Sequence, residues 1–107
     1  MSIINLPENA TKAEFAPFLA AGEVAAYSSL DQNGDRYVLN SAVFDDFPGK
    51  LGSVVVRFAR VMESPAGMRR SMNSKFIGWK KEIVGRVVDV RYSPKRTLVR
   101  YDIDPIA

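Results

Sequence analysis

The sequence predicts a mainly β fold: a small antiparallel barrel or sandwich of about five strands with one N-terminal helix. Short runs of β-branched and aromatic residues are bounded by turn residues along most of the chain. The Asn33-Gly34 pair and the Ser93-Pro94-Lys95-Arg96 stretch each separate two such runs, and helical spacing is confined to residues 11–22. Strands joined by turns without helical crossovers argue against a parallel α/β sheet.

Residues 1–22 read as an N-terminal arm and helix. Leu6 to Ala10 is an extended lead-in, and Thr11-Lys12-Ala13-Glu14 matches a capping box. The helix is expected to break at Pro17 and to stop near Gly22. Phe15, Phe18 and Leu19 form its apolar stripe, which packs onto the rest of the domain. Val24 to Ser29 is then a short strand, Asp31 to Asp35 a tight turn and Tyr37 to Leu39 the return strand. Ser41 to Phe47 fits one helical turn capped by Asn40 or Ser41 and ended by Pro48-Gly49.

Val54 to Val61 is apolar on both faces, as a central strand requires. Residues 62–74 hold Pro65, Gly67, Met62, Met68, Met72 and the Arg69-Arg70 pair without a period, and read as a long loop. A loop of that length in a small domain commonly carries function. Ile83 to Tyr92 and Thr97 to Ile103 form a hairpin closed by Ser93–Arg96. A four-residue loop pairs Tyr92 with Thr97, Val90 with Val99 and Val88 with Tyr101 on an apolar face. It sets Asp89 opposite Arg100 on the other face. Gly85 marks a bulge or bend.

The length of 107 residues fits one domain, residues 1–107. With 47% hydrophobic and 25% charged residues the composition is that of a globular chain rather than a disordered one. The chain has no cysteine and no histidine. That removes thiolate chemistry, the Ser–His and Cys–His arrangements, and the common zinc sites. We therefore expect no enzyme, no catalytic residues, no metal and no cofactor. Asp31 to Asp35 begins like a calcium loop, but Arg36 stands where the turn glycine belongs and Ala42 where the bidentate glutamate belongs. Asp45 and Asp46 are adjacent, so their side chains diverge and make a solvated patch. A Ser–Lys hydrolase using Lys75, Lys80 or Lys81 with a nearby serine is a third, weaker reading. No apolar run has the length of a membrane span and no basic-then-apolar leader opens the chain, so no membrane partner is expected.

Charge is divided along the sequence. Residues 1–50 carry three bases against seven acids (net −4), whereas residues 51–107 carry twelve bases against five acids (net +7). The basic half interleaves with Phe58, Phe76, Trp79, Tyr92 and Tyr101, the pattern of a surface that binds phosphates and stacks bases. Strand alternation with aromatics inside and bases outside gives the same pattern. The partner-binding candidates are Arg57, Arg60, Met68, Arg69, Arg70, Met72, Lys80, Lys81, Lys95 and Arg96. The arginines and lysines at turns reach furthest, and the methionines mould to irregular surfaces.

Ala25 to Asp35 followed by Ser41-Ala42-Val43-Phe44, and Val84 to Tyr92 followed by Leu98 to Tyr101, resemble two hairpins of the tailed-phage prohead (capsid maturation) proteases, in the same order. The resemblance implies a β-barrel and a phage origin, while the protease chemistry of that family needs a histidine this chain lacks. It therefore implies a non-catalytic, capsid-associated (decoration-type) protein of the virion or host cytoplasm, with a capsid protein or a second copy as its partner. Gly85 to Tyr101 is also similar to barrel hairpins of ribosomal RNA-binding proteins. The rival reading is accordingly a small nucleic-acid-binding barrel that uses the basic C-terminal half.

Overall fold

The computed structural model describes residues 3–43, 47, 49–64 and 74–106. The elements are α1 (Lys12–Phe15), a 3₁₀ turn (Ala16–Phe18), β1 (Glu23–Ala25), β2 (Asp31–Asn33), β3 (Arg36–Ala42), β4 (Val54–Glu63), β5 (Lys75–Tyr92) and β6 (Leu98–Pro105). The fold is mainly β with one short helix, and its strands make one sheet in the order β1-β4-β5-β6-β3-β2. There are six strands rather than five among the described residues. The sheet is mixed rather than purely antiparallel, because β1 runs parallel to β4 with Glu23, Val24 and Ala25 opposite Val54, Val55 and Val56.

The chain forms two compact units: Met1–Phe18 with Phe58–Glu82, and Leu19–Arg57 with Ile83–Ala107. Each is assembled from two separate stretches, so no composition boundary in the sequence marks them.

The first unit is organised around Trp79. Ile4 exchanges two backbone hydrogen bonds with Trp79, at 2.8 and 2.9 Å, and the Trp79 indole N–H donates to the Pro7 carbonyl at 3.1 Å. Gly78 sits at φ 148, and a Cβ there would fall 2.8 Å from the Ile4 carbonyl oxygen, so glycine is what lets the arm lie against the strand. In α1 the Glu14 carboxylate accepts from the Thr11 N–H, as the capping box predicts. The chain tightens into the 3₁₀ turn at Pro17 and the helix ends there, short of Gly22. Phe15 is buried, stacked on Phe58 at 4.5 Å and edge-on to Trp79 at 5.0 Å. Phe18, by contrast, is 40% exposed, so only part of the expected stripe is covered.

The second unit holds the larger core: Ala26, Leu39, Phe47, Val55, Val87, Val99, Tyr101 and Ile103. Val55 and Val56 are both fully buried, as a central strand apolar on both faces requires. Tyr101 donates its hydroxyl to the Phe47 carbonyl at 2.8 Å, which satisfies the one polar atom its side chain brings inside. Burial raises its pKa.

Several local expectations are corrected. Residues 24–29 do not pair with Tyr37–Leu39; the strand stops at Ala25, and the hairpin partner is β2. Asp31 to Asn33 are strand residues, and the turn is Gly34-Asp35 alone. Gly34 supplies the positive φ (64) at the first loop position, the type II′ arrangement. Ser41 and Ala42 extend β3 instead of starting a helical turn, while residues 44–46 lie outside the described residues. Met62 and Glu63 extend β4, and the rest of the expected loop that is described is Ser64 and Ser74, whose hydroxyls meet at 2.9 Å.

The β5–β6 hairpin is present with a register slipped by two residues. Tyr92 faces Val99 and Val90 faces Tyr101. The turn moves on by one residue: the Ser93 N–H donates to the Leu98 carbonyl at 2.9 Å, so residues 94–97 make the loop, and the Ser93 hydroxyl accepts from the Thr97 and Leu98 N–H groups across it. An even slip keeps every side chain on its face. The bulge falls at Val88, not Gly85. It lets Val87 and Val90, three apart, both face the core, and it leaves Val88 38% exposed. Gly85 is needed for a close approach instead, since a Cβ there would collide with the Asp104 carbonyl.

Replacing Phe15 with Ala removes the ring that contacts both Phe58 and Trp79, at a cost of about 3–5 kcal/mol. Urea unfolding followed by the fluorescence of the one tryptophan should show a lower midpoint and an unfolding free energy reduced by that amount. An unchanged midpoint would show that the arm contributes nothing to this unit.

Candidate functional site

The face of the β5–β6–β3 sheet opposite the core is a charged ladder. It follows from the spacing Asp89-x-Arg91 and Arg100-x-Asp102, since residues two apart in a strand share a face. The slipped register places Asp89 opposite Asp102 and Arg91 opposite Arg100. Like charges directly opposite are unfavourable, so each arginine turns to the acid on its own strand. Arg91 Nε donates to Asp89 at 2.6 Å and Arg100 Nε to Asp102 at 2.9 Å, with Arg91 also 3.9 Å from Asp102. Asp102 is buried among them, its side chain only 6% exposed. The hydrogen bond from Arg91, together with its charge, holds the Asp89 carboxyl below the ordinary aspartate value against a partial desolvation penalty. The same contact raises Arg91. Further along the face, Arg36 Nε donates to Asp104 at 2.7 Å, and Arg86 donates to the Gly52 carbonyl at 2.8 Å.

The sequence-predicted contact residues separate into three groups. Arg60, Lys80 and Lys81 are engaged within the first unit: Arg60 with Glu8 at 3.3 Å, Lys80 with Glu82 at 2.9 Å, Lys81 with the Phe18 carbonyl at 2.8 Å. Arg57 is exposed on β4. Met68, Arg69, Arg70 and Met72 lie outside the described residues, as do Asp45 and Asp46. Lys95 and Arg96 are exposed at the β5–β6 turn, where the Arg96 guanidinium lies 4.5 Å over the Tyr92 ring.

The interleaved aromatics are mostly unable to stack on a ligand. Trp79 packs between Phe15 and Phe76 and lies 6.0 Å from the Arg60 guanidinium, while Tyr101 is in the core. Tyr92 is expected on the apolar inner face. It does share that face with Val99, but at the sheet margin it remains 49% exposed. Of the lysines of the Ser–Lys reading, Lys80 is paired with Glu82 and Lys81 donates to the Phe18 carbonyl. No cluster of three or more His, Cys, Asp or Glu side chains suited to a metal ion occurs among the described residues. No helix among them is long and apolar enough to cross a membrane. Among family models, curated proteins and solved structures, none matches this chain.

Sequence reasoning misses the cancellation of charge along β5 and β6. Its signal is present in the two Asp/Arg pairs at strand spacing, which read as one cross-strand pair instead of four groups. Substituting Asp102 with Ala leaves Arg91 and Arg100 opposed without their shared counter-charge. The expected loss is about 3 kcal/mol, the low end for a broken buried pair because Arg100 is open enough to rehydrate. Thermal or urea unfolding measures it, and a loss below about 0.5 kcal/mol would mean that the ladder behaves as ordinary surface pairs do.

Proposed function

We propose that the protein acts by binding other protein surfaces, as a non-catalytic, decoration-type component of a phage virion. The observation that carries the reading is the use of the basic half within the chain itself. Arg60, Lys80, Arg91 and Arg100 each pair with an acid of the same chain. Phe58, Trp79 and Tyr101 pack internally. A surface that tracks a nucleic-acid backbone along the strands needs the opposite, free cations beside open aromatic faces.

The described surface offers a partner both exposed apolar side chains and charged ones. Leu51 is 66% exposed, Ile83 57%, Leu98 56% and Met62 48%. Such a mixture suits protein contacts, where apolar anchors supply affinity and complementary charges set orientation. The virion assignment draws its support from the resemblance of two sequence blocks to prohead-protease hairpins. Of these, β5–β6 is a hairpin, whereas in the first block β3 pairs with Asp31–Asn33 and not with residues 25–29. The missing histidine argues for a structural descendant instead of a protease.

Co-sedimentation with capsid shells of the phage whose genome encodes the chain tests this. The protein should pellet with shells at a fixed ratio to capsid protein. Leu51→Glu and Leu98→Glu, both at exposed positions, should fold normally, and at least one should lower the bound fraction about tenfold. Wild-type protein that stays in the supernatant would overturn the reading.

A further inference from the structure

We infer that the β5–β6 turn is a separate docking point for single-stranded nucleic acid, built by Tyr92, Lys95 and Arg96. Within residues 89–102 the turn is where positive charge is left unmatched. Residues 89–102 contain four bases (Arg91, Lys95, Arg96, Arg100) and two acids (Asp89, Asp102). Both acids are occupied by Arg91 and Arg100. Lys95 and Arg96 therefore stand at the tip with a net charge of +2, and neither has an acid within ion-pair distance among the described residues.

The tip is also held in a costly shape. Arg96 has φ 56, and it is the one residue other than glycine with positive φ among those described. A side chain in that region pays for its Cβ crowding, and such residues persist where surrounding contacts over-determine them. Those contacts are present. The Arg96 N–H donates to the Ser93 carbonyl at 2.8 Å, and the Ser93 hydroxyl takes the next two N–H groups. The turn would form more easily with glycine at 96. What arginine adds is a guanidinium laid over the Tyr92 ring at 4.5 Å.

That stack fits an unpaired base better than an acidic peptide. A carboxylate needs only the charge, whereas a nucleobase stacks on an aromatic ring or on a guanidinium plane, and here a guanidinium backed by a ring stands at an exposed tip beside a lysine for the phosphate. Duplex DNA hides its base faces and would gain only the phosphate contacts. The site is small, so its salt response is small: about two phosphate contacts, one per cation, give a log–log slope near about −1.4 for a single strand. Affinity then falls about 7-fold between 50 and 200 mM salt.

Fluorescence anisotropy with labelled dT20, a 20-base-pair duplex, an abasic 20-mer and poly-glutamate tests the assignment. We expect dT20 to bind most tightly with that salt response, and Lys95→Gln/Arg96→Gln to weaken it at least tenfold. Arg96→Gly separates function from folding, since it should keep a Tm at or above wild type while losing dT20 affinity. The assignment is overturned if wild type does not bind dT20 at 50 mM salt, or if the double variant binds it unchanged. It is equally overturned if the abasic strand or poly-glutamate binds as well as dT20, which would make the tip a general anion site or a docking point for acidic protein.

Discussion

The position of β6 between β5 and β3 is the constraint from which most of the second unit follows. Its alternation sends Val99, Tyr101 and Ile103 into the core and Arg100, Asp102 and Asp104 to the opposite face. A strand with neighbours on both sides must satisfy both faces at once. Here the apolar face is filled by Leu39, Val55 and Val87, and the polar face by arginines from β3 and β5. The bulge at Val88 serves the same end. Without it, Val87 and Val90 would point to opposite faces, and either the core or the charged ladder would lose a member.

Much of this is legible in the sequence, for identifiable reasons. The capping box at Thr11, the break at Pro17, the central β4 and the β5–β6 hairpin each rest on local chemistry that tertiary context does not override. The errors cluster where a non-local choice decides the outcome. Nothing in Glu23–Ala25 says that it will run parallel to β4 instead of turning back on residues 37–39. The first half of β5, Lys75 to Glu82, carries Gly78 and two adjacent lysines, so its alternation is broken, and the strand is secured by the arm that Gly78 admits. The two-residue slip of the hairpin comes from the turn moving on by one residue, to 94–97, where the Ser93 hydroxyl accepts from two backbone N–H groups.

The candidate surface is less legible than the fold. Counting bases and aromatics correctly locates a basic half but does not say which charges meet an acid in space. The sequence halves of net −4 and +7 are interleaved by the pairs Arg36–Asp104 and Arg60–Glu8, which join residues far apart in the chain. Pairing of this kind weakens the local field around those bases, though the chain keeps its net charge of +3. It gives short-range apolar and stacking contacts a larger part in deciding partners. Protein contact is therefore the broader reading, with nucleic-acid binding confined to a turn whose charge and strain are both unmatched.

Cancellation requires those arginines to be held in place, and their side-chain N–H groups report this directly. Arg36, Arg91 and Arg100 each donate through Nε to an aspartate, whereas Arg96 lies over a ring. In a proton–nitrogen correlation spectrum recorded at neutral pH, the Nε–H signals of the first three should be sharp, dispersed and slow to exchange with solvent. That of Arg96 should exchange much faster. Equal, rapid exchange for all four would contradict the cancellation, because the charges of the basic half would then be free in solution and the surface open to polyanions along its whole length.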